Sequence, residues 1–96
     1  MADGFSATWQ SDALLRLSGH LDASHAAAAE AALERVAGST VVDFSDLVYI
    51  SSAGIGCLLA AQKRLGQTGK ITIVNPSPSI REMFALAGFD TVFEIR

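Results

Sequence analysis

The sequence predicts a single α/β domain with a mixed, mostly parallel sheet and the element order β-β-α-β-α-β-α-β. Short β-branched runs alternate with longer runs whose apolar residues recur at helical spacing. Parallel strands need such helical crossovers, whereas the first two strands are close enough to form an antiparallel hairpin. A length of 96 residues suits one core, so residues 1–96 are predicted to form one domain.

The chain begins with a hairpin and a helix. Residues 5–10 and 13–18 predict two short strands joined at "SD". The alanine-rich run that follows has a strong helical propensity, with Asp22 or Ser24 as candidate caps. Gly38 is the predicted end of this first helix.

The middle of the chain adds a strand and a second helix. The apolar, β-branched run 39–44 is typical of a strand buried on both faces. From Ser52 onward, apolar residues return near the 3.6-residue period, which predicts a helix that ends at Gly66 or Gly69. Because ligands collect where strands lead into helices in such sheets, the segment before this helix is a candidate site.

The last third of the chain completes the alternation. Residues 70–75 form another β-branched run and predict a strand. Residues 76–88 predict a helix with Pro and Ser at its start and Gly88 at its end. Residues 89–95 predict a last strand or a helical turn.

The charge and hydropathy of the chain exclude several classes of partner. Seven basic and ten acidic residues give a net charge of −3, and the basic residues are scattered, so neither nucleic acid nor a membrane surface is expected. No apolar stretch approaches the ~20 residues that span a bilayer. The single Cys57 and the absence of a basic, then apolar, N-terminal segment predict a cytoplasmic protein. The acidic surface is compatible with a monomer.

The sequence offers little for catalysis, and we expect neither an enzyme nor a bound cofactor. It has two histidines and one cysteine, without CxxC, HExxH or GxSxG motifs. Cys57 is predicted to be a small core residue. His20 and His25 lack further ligands for a metal site and are predicted to be exposed polar side chains.

The stretch "VVDFSDLVYISSAGIG", residues 41–56, poses the main functional question. Ser51 or Ser52 caps the second helix, and one capping serine is sufficient. The other hydroxyl lies on an exposed turn beside Ala53 and Gly54, whose small size would let another protein's active site approach. A phosphate there would be favoured by the helix N-terminus. Asp22 is likewise predicted to cap the first helix, and a role in recognition is compatible with that cap.

Several motifs resemble one known family along nearly the whole chain. They are "LSGHLD" at residues 17–22, then Asp43-Phe44, the short apolar loop "LVYI", and Ser52-Ala53-Gly54. This pattern resembles the STAS domain of bacterial anti-sigma factor antagonists.

The resemblance implies regulation of transcription by partner switching. In similar proteins a kinase that is also the anti-sigma factor phosphorylates the serine before the small-Gly pair, and a serine phosphatase reverses this. Ser52 is therefore the expected phosphorylation site. Ser51 is the second choice; it occupies the preceding position, where such proteins often have Asp. The expected partner-binding residues are His20, Asp22, Ser51, Ser52, Ala53, Gly54 and Ile55.

Two alternatives remain for a STAS domain. The first is a scaffold subunit of a lipid-transport ABC system, in which the serine loop is an interface without phosphorylation. The second is a nucleotide-binding module, which the sequence does not support because "SSAGIG" lacks the glycine spacing and the lysine of a P-loop.

Overall fold

The computed structural model describes residues 4–96. The strands are β1 (Phe5–Ser11), β2 (Leu14–Leu21), β3 (Thr40–Ile50), β4 (Ile71–Val74) and β5 (Glu94–Ile95). The helices are α1 (Ala26–Leu33), α2 (Ser52–Leu65) and α3 (Pro78–Leu86), with 3₁₀ turns at Ala23–His25 and Phe89–Thr91. Residues 1–3, part of the N-terminal segment used above to argue against a secretory signal, lie outside the described residues.

The strands form one mixed sheet in the order β1-β2-β3-β4-β5. β1 runs antiparallel to β2, and the other neighbouring pairs are parallel. The helical crossovers between parallel strands are those that the alternating pattern requires. The predicted fold class is therefore confirmed.

The core lies between one face of the sheet and the helices. Leu15, Val42 and Ile73 are register partners across β2, β3 and β4, and all three are fully buried. On the same face, the ring of Phe44 meets that of Phe84 on α3 edge to face, with centroids 6.2 Å apart. The apolar runs therefore become buried strands because one face packs on helices.

The first helix is shorter than predicted. α1 ends at Leu33 rather than near Gly38. The Arg64 guanidinium on α2 donates to the carbonyls of Leu33 and Val36 at 2.9 and 2.8 Å. These bonds satisfy carbonyl groups at the end of α1 that a longer helix would have bonded internally.

The other boundaries agree more closely with the sequence. α2 ends before Gly66, which has a φ of 57° as expected for a helix-ending glycine, so the alternative Gly69 is wrong. Gly88, with a φ of 79°, follows α3 as predicted. The last segment contains both predicted elements, a 3₁₀ turn followed by the short strand β5.

The largest difference concerns β3, which continues to Ile50 instead of ending at Phe44. The apolar segment "LVYI" is therefore the end of a strand and not a loop. The register between β2 and β3 shifts twice along this stretch, which marks two bulges. As a result, burial recurs every third residue, at Phe44, Leu47 and Ile50, and this hides the two-residue period of a regular strand.

Candidate functional site

The ends of β2 and β3 bring the predicted site residues to one edge of the sheet. Leu21 and Ile50, the last residues of β2 and β3, are register partners, so the residues that follow the two strands lie at the same edge. The Ser51 N–H donates to the Leu21 carbonyl at 2.9 Å and joins the start of α2 to the end of β2. We call residues 20–25 and 48–55 together the serine edge; they include every residue predicted to bind a partner.

The two serines of this edge differ in their environments. Ser51 is the N-cap of α2, with extended backbone angles, and its Oγ accepts the Gly54 N–H at 3.4 Å. Ser52 is the first residue of α2 and is exposed. The structure therefore assigns the cap to Ser51 and the exposed position to Ser52.

Gly54 and Ile55 support this edge from beneath. Ile55 is only 5% exposed, so its side chain packs in the core. A Cβ on Gly54 would lie 2.6 Å from Leu21 Cγ and 2.9 Å from Ile50 Cγ1. The idea that the small size of Gly54 opens the site to another protein was therefore wrong, because that size is required for packing α2 on the strand ends. Ala53 lies half-buried between Ser52 and Gly54.

Asp22 fixes the loop that follows β2. Its Oδ1 accepts the Ser24 hydroxyl at 2.7 Å and lies 2.9 Å from His25 Nδ1. The hydrogen bond from Ser24 holds the pKa of Asp22 below its ordinary value. This carboxylate is therefore ionised at neutral pH, and as it can only accept, His25 Nδ1 donates.

The prediction that Asp22 or Ser24 caps helix one was wrong. The chain enters α1 through the 3₁₀ turn, which moves the helix start beyond both residues and leaves His25 at the N-cap position. The Asp22 carboxylate bonds side chains, and no cap hydrogen bond from its side chain is present.

The histidines of the serine edge are half-buried, not exposed as predicted. His20 Nδ1 is buried and lacks a hydrogen-bond partner among the described residues. The His20 ring packs beside that of Tyr49, its register partner on β3, with centroids 6.2 Å apart. His20 therefore supports Tyr49, while His25 supports Asp22.

Two exposed apolar side chains on this edge were not identified from the sequence. Val48 and Tyr49 are 63% and 48% exposed. Gly19 pairs with Leu47 and His20 with Tyr49, so Val48 is the extra residue of a bulge. A regular strand would turn one of two successive residues inward, whereas the bulge exposes both.

Asp43, the acidic residue of the recognised motif, stabilises the bulged strand from the face away from the helices. Its Oδ1 accepts the Ser45 N–H at 2.9 Å and Asn75 Nδ2 at 3.3 Å, and its Oδ2 accepts Arg16 Nε at 3.3 Å. Burial acts to raise the pKa of Asp43, but the hydrogen bonds and the Arg16 charge outweigh it and hold the pKa below its ordinary value. Its role here is structural.

We expect Asp43→Ala to lower the free energy of unfolding by about 1–2 kcal/mol at neutral pH, because several donors lose a buried acceptor. Because the folded pKa is below the ordinary 3.8, the stabilisation is complete above that value and is lost as the pH falls through the folded pKa. Urea unfolding measured at pH 7 and at pH 3 checks this: the free energy of unfolding should fall less in acid for the variant than for the unmodified chain.

Asp46→Ala is the matched control for this change. The Asp46 side chain is 59% exposed, and its carboxylate is 4.0 Å from Arg16 Nη1. An exposed pair of this kind contributes little, at most about 1 kcal/mol. If Asp43→Ala and Asp46→Ala had the same stability and the same acid dependence, the structural role of Asp43 would be contradicted.

Other features of the described residues concern ligands and membranes. Within residues 4–96 there is no group of three or more His, Cys, Asp or Glu side chains that could hold a metal ion. No helix in this range is long and apolar enough to cross a bilayer. Cys57 is partly buried and packs against the core, where it was predicted to lie within it; its Sγ is 3.6 Å from the Ala26 carbonyl, and burial raises the pKa of its thiol.

This fold and sequence are similar to those of known proteins. The chain is 30% identical over 87 residues to the anti-sigma-F factor antagonist RsfB of Mycobacterium tuberculosis. The matched stretch covers 86% of this chain and 71% of RsfB. It is 38% identical over 56 residues to BtrV of Bordetella bronchiseptica, which is provisionally named an anti-sigma factor antagonist. That match covers 57% of this chain and spans about half, 48%, of BtrV.

A solved structure and a family model match this chain over nearly its whole length. The crystal structure of an anti-sigma factor antagonist from Mycobacterium paratuberculosis superposes with a TM-score of 0.80 at 25% identity, covering 96% of this chain and 83% of that one. The family model described as "Mlab, STAS domain" matches residues 6–95. Since that model covers nearly the whole sequence, the chain belongs to the STAS-domain family.

Proposed function

We propose that this chain is an anti-sigma factor antagonist that binds a serine-kinase anti-sigma factor and is released when that kinase phosphorylates Ser52. Binding frees the regulator that the anti-sigma factor holds, and a serine phosphatase restores the binding form. The observation that carries the proposal is the division of roles at the serine edge: the Ser51 hydroxyl caps α2, while Ser52 is exposed. The name of the relative RsfB supports the class of partner.

The start of α2 suits a phosphate on Ser52. The first turn of a helix has N–H groups without intrahelical acceptors, and the dipole of this 14-residue helix favours a negative charge there. A phosphate would add about 1.5 to 2 negative charges at neutral pH. Since the chain already has a net charge of −3 and Asp22 is ionised at the same edge, the modification would make this surface strongly acidic.

In this proposal the chain is a ligand and a substrate, and it catalyses no reaction. A nucleophilic enzyme activates its nucleophile with a neighbouring base or a lowered pKa. The pKa of the Cys57 thiol is raised, mainly by burial and also by the Glu30 charge. The Asp22 carboxylate bonds Ser24 and His25. These environments favour a binding surface over a catalytic site.

The direct test is to incubate the chain with each serine-kinase anti-sigma factor of the same genome and ATP, and to map phosphate by peptide mass spectrometry. We expect one phosphate, on Ser52. Ser51→Ala keeps the acceptor and should be phosphorylated, although loss of the cap costs about 1 kcal/mol of stability. Ser52→Ala should take up no phosphate. Modification at Ser51 alone would refute the site, and the absence of modification would refute the switch.

The second candidate is a scaffold subunit of a lipid-transport ABC system. Exposed Val48 and Tyr49 favour it, because they give the serine edge an apolar contact surface that needs no phosphorylation. Copurification with a transporter ATPase, together with an unmodified Ser52, would support this scaffold instead of the kinase ligand.

A further inference from the structure

We propose that two copies of this chain associate through their first strands, with β1 of one copy antiparallel to β1 of the other about a two-fold axis at Ala7. The two sheets then form one continuous sheet. This association goes beyond the proposed function and needs no kinase. The acidic surface of the chain is compatible with a monomer, but β1, with the sequence "FSATWQS", carries none of its charge.

β1 lies at the edge of the sheet, and every second residue directs its backbone groups away from β2. The Gly4 carbonyl accepts the His20 N–H at 2.8 Å, so Gly4 faces β2. The N–H and C=O groups alternate sides along an antiparallel strand, and Ser6 and Thr8 therefore also face β2. Within residues 4–96, no strand pairs with the outward N–H and C=O groups, which belong to Phe5, Ala7 and Trp9.

This edge lacks the features that usually prevent edge strands from pairing. Such strands are commonly very short, or contain a charged residue or a proline. The opposite edge strand, β5, is protected by its length of two residues. β1 has seven residues, without charge or proline, and its register shift lies beyond Trp9. The part from Phe5 to Trp9 is therefore a regular strand that is open to pairing.

The sequence of this part is complementary to itself, and this favours a second copy as the occupant. Pairing about Ala7 places Phe5 opposite Trp9 and Ser6 opposite Thr8, and every outward N–H then meets an outward C=O of the other copy. Phe5 and Trp9 pack against the core on the helix face and would form aromatic pairs across the strands. Ser6 and Thr8 are exposed on the other face, where their hydroxyls would meet.

The helix above this edge leaves space for the second copy. The Trp9 indole N–H donates to the Ala32 carbonyl at 3.2 Å, and the Arg35 guanidinium lies 5.4 Å from the centroid of the Trp9 ring. These contacts identify the flank of α1 that overhangs β1. Ala28, one turn before Ala32, is exposed on this flank, and its small side chain leaves room for the rings of the other copy. Because the indole is already held, it loses little conformational freedom on association.

The antiparallel arrangement keeps both serine edges accessible. The start of β1 lies beside the serine edge, since the Phe5 and His25 ring centroids are 5.8 Å apart. Pairing about Ala7 brings the start of one β1 to the end of the other. The two serine edges therefore lie at opposite ends of the joined sheet, and under the proposed function each would bind its own kinase.

The first test is sedimentation equilibrium of the chain alone. We expect the mass to rise with concentration to that of two chains, with a Kd on the order of 10–100 μM, because one strand and a few side chains make a contact below the standard interface size. Amide hydrogen exchange adds a local measurement. At ten times the Kd about a fifth of the chains remain monomeric, so exchange at Phe5, Ala7 and Trp9 should slow by about fivefold relative to dilute solution.

Charge variants test the register. In the double variant Ser6→Lys with Thr8→Lys, each lysine lies opposite a lysine of the other copy, and association should weaken by about tenfold. The double variant Ser6→Glu with Thr8→Glu should weaken it similarly. An equal mixture of the two places lysine opposite glutamate and should associate within about threefold of the unmodified chain. Ala27→Lys with Ala31→Lys is the matched control, because it adds the same charge on exposed positions of α1 and should leave association unchanged.

Three results would overturn the inference: the mass of a single chain at ten times the upper limit of the expected Kd, unchanged association in the double lysine variant, or no association in the mixture of oppositely charged variants. Thermal unfolding verifies that each variant is folded. If the lysines unfold the chain, Ala7→Pro replaces them, since it removes an outward N–H and edge strands tolerate proline there; association equal to that of the unmodified chain would then overturn the inference. These measurements contain no kinase, so their failure leaves the proposed role of Ser52 untouched.

Discussion

Ser52→Asp is expected to bind the kinase some two to three orders of magnitude more weakly than the unmodified chain, and Ser52→Ala to bind with full affinity. A negative charge at this position would be desolvated without a partner in the complex, at a cost of about 3–4 kcal/mol. The alanine variant removes the acceptor hydroxyl and adds no charge. Isothermal titration calorimetry with purified kinase measures both affinities directly.

Ser51→Asp provides a control that differs by one position. Aspartate is as good an N-cap as serine, so the start of α2 should keep its stability. Proteins that this sequence resembles often carry Asp at this position, so we expect the charge there to be tolerated in the complex. We therefore expect a loss below about tenfold. Equal affinities of Ser52→Ala and Ser52→Asp, or equal losses for Ser51→Asp and Ser52→Asp, would contradict the switch.

The fold class could be predicted because short β-branched runs alternate with runs of helical apolar spacing along the sequence. The boundaries were less predictable where tertiary contacts decide them. α1 stops at Leu33, where Arg64 from α2 binds the terminal carbonyls, and no local signal marks this. Gly66 was one of two predicted ends because either glycine could end the helix; the structure selects it with a positive φ.

The bulged end of β3 was not predictable from periodicity. With buried residues at every third position, "LVYI" fits neither a regular strand nor a helix, so its sequence predicts a loop. The exposure of Val48 and Tyr49 follows from the bulge and was missed for the same reason. Two large apolar residues directly before the polar serines were the available signal.

The polar part of the site was more accessible to sequence reasoning. A pair of serines before a helix indicates that one caps it, and the structure identifies Ser51. Gly54 was interpreted correctly as a position that needs a small residue, but for the wrong reason. Ile50 is close to Gly54 along the chain, but the nearest neighbour, Leu21, ends a strand that is distant in sequence, and only the fold brings Leu21 against Gly54.

Gly54→Ala is the substitution with the largest expected effect on stability. The added Cβ would lie 2.6 Å from Leu21 Cγ, 2.9 Å from Ile50 Cγ1 and 3.0 Å from the Leu21 carbonyl oxygen. Because that oxygen belongs to the sheet backbone, the contact cannot be relieved by side chains alone and α2 must shift. We expect the free energy of unfolding to fall by about 3 kcal/mol, at the upper end of the usual cost of overpacking.

Gly56→Ala, two residues further along α2, is the matched control. A Cβ at Gly56 would meet nothing within 4 Å, and the position is exposed. Alanine has a better helical propensity than glycine, so this variant should be more stable than the unmodified chain by about 0.5–1 kcal/mol. Urea unfolding of the two variants therefore separates backbone propensity from packing. If both substitutions stabilised the chain, α2 would not pack on the ends of β2 and β3 as closely as described, and the small residue after Ser52-Ala53 would have to be explained by partner access after all.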